Sequence, residues 1–191
     1  MNQLNASIEK LKSRENDIEK YASIMSTYNQ TDIANDEDFQ KTFTSFYKVR
    51  RNADWRGKYY TAFQEIKNCS NVNFECILRR IYEETGRVEA SFSSKMLATF
   101  DPEAPIWDSI VLARLEIKPS NAKDKNKKIE QTIEKYNKLC DWYKTFKKNP
   151  KAKSFVDEFN KNFPKYKKFS KTKKIDFIIW ASGDASIIPK Q

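Results

Sequence analysis

Residues 73–86 read Asn73-Phe74-Glu75-Cys76-Ile77-Leu78-Arg79-Arg80-Ile81-Tyr82-Glu83-Glu84-Thr85-Gly86. Phe74, Ile77, Leu78, Ile81 and Tyr82 recur at intervals of three and four, which places them on one face of a helix. Asn73 stands where an N-cap acceptor belongs, and Gly86 where a helix stops in the left-handed region. Arg79-Arg80 and Glu83-Glu84 lie four apart, so the polar face can pair its own charges. The stretch predicts a helix complete with start and stop.

The same period continues on both sides. Leu4, Ile8, Leu11, Ile18, Tyr21 and Met25 predict a first helix over 5–28. Asp36-Glu37-Asp38 forms an acidic first turn for a second, which buries Phe39, Phe43, Phe46, Tyr47 and Val49. A third runs from about Trp55 to Lys67 through Tyr59, Phe63 and Ile66. After Gly86, a fifth covers Glu89 to Phe100 and ends at Asp101-Pro102, and Pro105 starts a sixth that reaches Ile117. Pro119-Ser120-Asn121 reads as a loop. A lysine-rich helix follows over 124–146, then a shorter one over 154–163 and an apolar one over 175–181. No two-residue alternation is long enough to make a strand. The expected fold class is all-α, a single multi-helix globular domain with a lysine-rich C-terminal half. Residues 31–191 make the helical domain, and 1–30 are the segment expected at its periphery.

Composition narrows the chemistry. The chain has 191 residues with 14% aromatics, enough for one well-filled core. It has no histidine, which excludes a Ser-His-Asp or Cys-His triad and an imidazole proton shuttle. Three glycines cannot build a phosphate-cradling loop or a dinucleotide fingerprint. Cys69, Cys76 and Cys140 contain no Cys-x-x-Cys pair, so neither a metal centre nor a cofactor is expected. The odd cysteine count, the high lysine content and the polar start MNQLNASIEKLKSREND lead to an expected cytoplasmic location. No stretch approaches the roughly 20 apolar residues of a membrane span, so no membrane partner is expected.

Charge is segregated along the chain. Residues 118–174 hold 19 lysines, no arginine and 6 acidic residues, whereas the rest carries 17 basic and 20 acidic groups. The whole net charge of +10 therefore comes from one stretch. Lysine without arginine suits contact with phosphates rather than base reading. The expected partner is nucleic acid, DNA rather than RNA, with Lys144, Lys147 and Lys148 as phosphate contacts. A lysine-rich proteome would produce the same excess without a partner. The chain is expected to be a monomer. A second basic segment, Arg50-Arg51-Asn52-Ala53-Asp54-Trp55, mixes arginines with an aromatic at a helix junction. Arg50, Arg51 and Asn52 could hold a strand, and Trp55 could stack on an unpaired base. The same residues also suit a salt-bridged turn over core aromatics.

Residues 90–111 read ASFSSKMLATF-DPEAPIWDSIV. Small residues open a helix that carries Lys95, and a tight turn then brings Asp108 to the start of the next helix. A carboxylate there is favoured by the helix dipole and can cap backbone N–H groups. Facing a cleft, it could also orient water or stabilise a developing cation. The Lys95 helix, the turn and PIWDSIV resemble the helix-hairpin-helix element of the HhH-GPD superfamily of DNA glycosylases, over about residues 87–115. The resemblance implies Asp108 as the catalytic carboxylate and Lys95 as a Schiff-base nucleophile in a lyase step. In that family glycines precede the lysine, where this chain has VEASFSS, and the lysine-to-aspartate interval is longer. At the family interval the lysine would fall near Ala90. The functional expectation is Asp-assisted cleavage of an N-glycosidic bond, with a possible Lys95 lyase step. The alternatives are a non-catalytic nucleic-acid- or protein-binding regulator, and a structural partner that pairs through its N-terminal helix.

Overall fold

Asn73 Oδ1 accepts the Cys76 N–H at 2.9 Å and Gly86 takes φ 68°, so both ends of the first-read helix lie where its sequence sets them. The computed structural model describes residues 3–189. In chain order its α-helices are α1 (Gln3–Lys12), α2 (Glu15–Thr27), α3 (Glu37–Tyr47), α4 (Ala53–Lys67), α5 (Phe74–Thr85), α6 (Ala90–Phe100), α7 (Ser109–Arg114), α8 (Lys125–Phe146), α9 (Pro150–Asn162) and α10 (Lys171–Ser182). Two single 3-10 turns, Pro164–Tyr166 and Ala185–Ile187, complete an all-α domain. Side-chain acceptors begin most helices: Asp36 for α3, Asn52 for α4, Asp124 for α8, Asn149 for α9 and Ser170 for α10.

Four of the expected helices depart from the sequence expectation. The helix expected over 5–28 is two helices. The run from Lys12 to Asp17 is wholly polar and gives a continuous helix nothing to bury, and the chain turns at Arg14. Leu11, Ile18 and Ile24 are all fully buried, α1 packs on α10, and α2 packs on α3. Residues 3–27 are thus built into the common core. Pro105 does not start a helix. Residues 105–107 are not helical, and α7 begins only after Asp108, whose backbone is extended and which is its N-cap. Finally, α9 and α10 each start four residues earlier than their apolar pattern, because Asn149-Pro150 and Ser170 supply the start signal ahead of it.

The core is aromatic. Phe43, Tyr59, Tyr60 and Phe63 are fully buried where α3 meets α4. The rings of Phe43 and Phe63 lie 5.4 Å apart edge to face, and Trp55 stacks on Tyr59. On the other side, Phe159 and Phe169 close over Phe177 of α10. The amphipathic α5 packs against α4, α6 and α8. Among the described residues no helix is long and apolar enough to cross a membrane.

Candidate functional site

The small residues of α6 let the following turn lie close against it. Ser94 Oγ donates to the Ser91 carbonyl and accepts the Trp107 N–H at 2.9 Å, which folds residues 101–108 back onto the helix. Trp107 and Ala104 are buried beneath this turn. Tyr136 of α8 donates to the Pro105 carbonyl at 2.9 Å, and Ser170 donates to that of Pro102. Glu103 accepts from Lys147 at 2.7 Å, from Thr172 at 2.8 Å and from the Lys171 N–H at 3.1 Å. Partial burial pushes the Glu103 carboxyl up, but the bonds from Lys147 and Thr172 outweigh it and hold it below the usual range. The turn is pinned to α6, α8 and α10 at once, and this fixes Asp108.

Asp108 and Lys95 open into one cavity of about 230 Å³. Phe46, Tyr47 and Lys48 at the end of α3 form one wall. Ile106 and Val111 flank Asp108, and α10 contributes Lys173, Asp176, Phe177, Ile179 and Trp180. Lys48 stands in the left-handed region at φ 53°, a conformation a lysine seldom adopts. It is the C-cap of α3, and the reversal of the chain there leaves Lys48 lining the cavity.

Lys95 Nζ donates to the Tyr47 carbonyl at 3.0 Å and lies 5.0 Å from the Phe92 ring centre and 5.9 Å from that of Tyr47. Burial lowers its pKa to about 8. Asp108 opposes the shift, Lys173 adds to it, and Glu89 opposes it. An amine at that value is roughly one tenth neutral at pH 7, far more than an ordinary lysine. Asp108 Oδ1 accepts the Ile110 N–H at 2.8 Å and so caps α7, while its other oxygen makes no hydrogen bond among the described residues. Behind these two, α10 carries a second amine and a second carboxylate. Lys173 is buried, with its side chain 4% exposed, and Asp176 is 14% exposed. Their nearest charged atoms are 3.8 Å apart, an ion-pair distance too long for a hydrogen bond. Asp176 Oδ1 accepts from Tyr143. Burial raises the Asp176 carboxyl to about 6 against the pull of Lys173 and Tyr143, and Asp108 adds to the rise.

The other residues singled out in the sequence lie elsewhere. Arg51 binds Glu89 through Nε at 3.2 Å and Nη2 at 2.9 Å, with its guanidinium over Phe92 and Trp55. Asn52 caps α4 by accepting the Trp55 N–H at 2.9 Å. Trp55 is buried and stacked on Tyr59, so neither face is open to a base. Arg50 is exposed and has no ion pair among the described residues. Lys144 and Lys148 are exposed on and just after α8, whereas Lys147 is engaged with Glu103. Lys173, Asp176 and Trp180 were not found by sequence reasoning. The one available signal was Asp176, a lone carboxylate inside the apolar run Ile175-Asp176-Phe177-Ile178-Ile179-Trp180. Lys173 was hidden among its lysine neighbours.

Among the described residues no three aspartate, glutamate or cysteine side chains gather closely enough to hold a metal ion. The three cysteines are unpaired. No protein-family model matches the chain, and no significant similarity is found to a curated protein or a solved structure.

Proposed function

We propose that the chain removes a base from nucleic acid by cleaving its N-glycosidic bond, with Asp108 and Lys95 as the reacting pair. The observation that carries this reading is their convergence. An amine with its pKa lowered to about 8 and a carboxylate with one oxygen not hydrogen-bonded open into the same aromatic-walled cavity. The resemblance of residues 87–115 to the HhH-GPD hairpin carries over to Asp108, whereas its lysine falls near Ala90, so the case for Lys95 rests on the shared cavity.

The chemistry follows from the two groups. As the N-glycosidic bond breaks, its electron pair leaves with the base and positive charge develops on the sugar ring. Asp108 stabilises that charge. The neutral Lys95 amine adds its lone pair to the anomeric carbon, and the proton it then loses neutralises the departing base. The bond from the anomeric carbon to the ring oxygen then breaks, the ring oxygen takes the remaining N–H proton, and the C=N bond formed is an imine between Lys95 and the opened sugar, the entry to a strand-cutting lyase step. The aromatic wall of Phe46 and Trp180 offers apolar surface to a base turned out of its strand. The exposed cations Arg50, Lys144 and Lys148 are the candidates for holding the phosphate backbone.

A second reading keeps the binding and drops the chemistry. Its supporting observation is the Asp108 cap on α7, which gives that residue a structural task on its own. The variant Asp108→Asn separates the two, because asparagine caps a helix about as well as aspartate but cannot offset a cation. The catalytic reading expects release of bases from damaged duplexes to fall at least about 100-fold in Asp108→Asn, while the melting temperature stays near that of the wild type. Unchanged base release overturns the catalytic assignment.

A further inference from the structure

We propose that the open depression between the α5–α6 turn and the start of α8 is a phosphate-binding site, which holds the backbone of the strand whose base enters the cavity. It rests on the reading of the chain as a protein that acts on nucleic acid and adds where the strand lies.

Arg51, Arg87, Lys123, Lys125 and Lys128 line a depression of about 400 Å³, and Glu89 is the one acidic residue in its lining. Glu89 is already neutralised by Arg51, whose Nη2 lies 2.9 Å away. The other four cations have no ion pair among the described residues. Arg79 and Arg80 on the neighbouring α5 behave differently and bind Glu75, Glu130, Glu65 and Glu84. Asp124 stands between Lys123 and Lys125 in sequence, but its carboxylate accepts the Lys127 N–H at 2.7 Å as the α8 cap and does not line the depression.

Two banks build the site. Gly86 ends α5 at φ 68°, and Thr85 Oγ1 accepts the Arg87 N–H at 3.3 Å, which sets Arg87 on one side. On the other, Ser120 Oγ accepts the Ala122 N–H at 3.2 Å and donates to Gln131 of α8 at 2.7 Å, which folds the Lys123 segment back on that helix. Lys125 and Lys128 are three positions apart on α8 and so share a face. Four like charges without counter-ions create a local potential that a run of phosphates relieves. The aromatic residue in the lining, Tyr82, has Lys125 Nζ over its ring at 5.9 Å, and the remaining lining is Gly86, Val88 and Ala122. Such a surface suits phosphates, which position a strand, and not a base or a large apolar side chain.

Phe92 joins this depression to the cavity. Its ring centre lies 5.1 Å from Arg51 Cζ and 5.0 Å from Lys95 Nζ. Lys48 lines the cavity and Arg51, three residues further along the chain, lines the depression. Nucleotides of a duplex strand rise roughly 3.4 Å each, so a strand with one nucleotide at Lys95 has its neighbouring phosphates within reach of Arg87, Lys125 and Lys128.

The test reads binding without turnover, so it stands apart from base excision. The full chain is titrated into a fluorescein-labelled duplex carrying a reduced abasic site, which offers neither aldehyde nor base, and anisotropy is followed at four salt concentrations. Arg87→Gln/Lys125→Gln/Lys128→Gln is expected to weaken binding at least about tenfold at 0.1 M salt and to make the logarithmic salt slope shallower by about 2 to 3. Lys151→Gln/Lys165→Gln/Lys168→Gln removes the same charge from exposed positions elsewhere and is expected to weaken binding less than about threefold. Should the first triple variant fail to fold, Arg87→Gln and Lys125→Gln, both at exposed positions, carry the test singly, each with a slope shallower by about 1. Equal losses in the two triple variants, or a slope unmoved in the first, overturn the proposal. Tighter binding of poly-glutamate than of the duplex also overturns it, and assigns the depression to an acidic protein. A slope that depends on the depression in a chain that releases no base overturns the glycosylase reading alone.

Discussion

Lys95 lies in a conflict between its surroundings. The Tyr47 carbonyl, at the C-terminal end of α3, and the carboxylate of Asp108 favour its charged form, while burial and the Lys173 ammonium disfavour it. The net effect places its pKa below that of the unfolded chain. Between pH 8 and 10.5 the unfolded state then binds more protons at this residue than the folded state does. Its contribution to stability accordingly rises with pH through that window, and the penalty is complete below pH 8. Lys95→Met should remove the penalty and raise the folding free energy at pH 7 by about 1 kcal/mol, less whatever the lost bond to Tyr47 costs. The gain should shrink as pH climbs towards 10. Denaturant titrations of wild type and variant at pH 7 and pH 9.5 read this difference directly. A gain independent of pH would show that packing, and not charge, is responsible.

At the scale of elements, the α6–turn–α7 hairpin owes its shape to groups outside it. Glu103 is the main clamp, with one carboxylate accepting from Lys147, Thr172 and the Lys171 backbone. Glu103→Ala is expected to lower stability by about 1 kcal/mol, since the site is partly solvated. It should lower base release further than stability, because the turn that fixes Asp108 keeps only the Ser170 bond to the start of α10 and loses its ties to Lys147, Lys171 and Thr172. Thermal melts and activity measured on one preparation check both effects. Much of the helical order was legible in advance because its signals are local: Asn73 and Gly86 bound α5, and Asp36 opens α3. The limits of α7 were not legible. Pro105 suits a helix start, but the Tyr136 hydroxyl and the Ser94 side chain, distant in sequence, hold residues 105–107 out of the helix. Half of the site escaped for the same reason. Lys95 and Asp108 stand 13 positions apart and share one motif, whereas Lys173 and Asp176 reach the cavity only because α10 packs against the rest of the fold.

For the whole molecule, the charge imbalance in the sequence separates in space into engaged and free lysines. Lys147 serves the turn and Lys173 the cavity, while Lys144 and Lys148 remain exposed. A nucleic-acid partner predicts duplex binding that weakens steeply as salt rises, with a logarithmic slope of roughly −0.9 per phosphate contacted. Lys144→Ala/Lys148→Ala should make that slope shallower by about 1 to 2. Lys147→Ala should change it less and lower the melting temperature more. Fluorescence anisotropy at four salt concentrations distinguishes these outcomes, and identical slopes in the wild type and the double variant would move the contact surface elsewhere.

The most direct measurement is reductive trapping of the protein on a duplex that carries an abasic site. The amine of Lys95 should condense with the sugar aldehyde, losing water to form an imine that borohydride reduces to a stable secondary amine. We predict a covalent protein–DNA adduct that maps to the peptide containing Lys95, disappears in Lys95→Met and forms more readily as pH rises towards 8. No adduct, or one that persists undiminished without Lys95, would contradict the account.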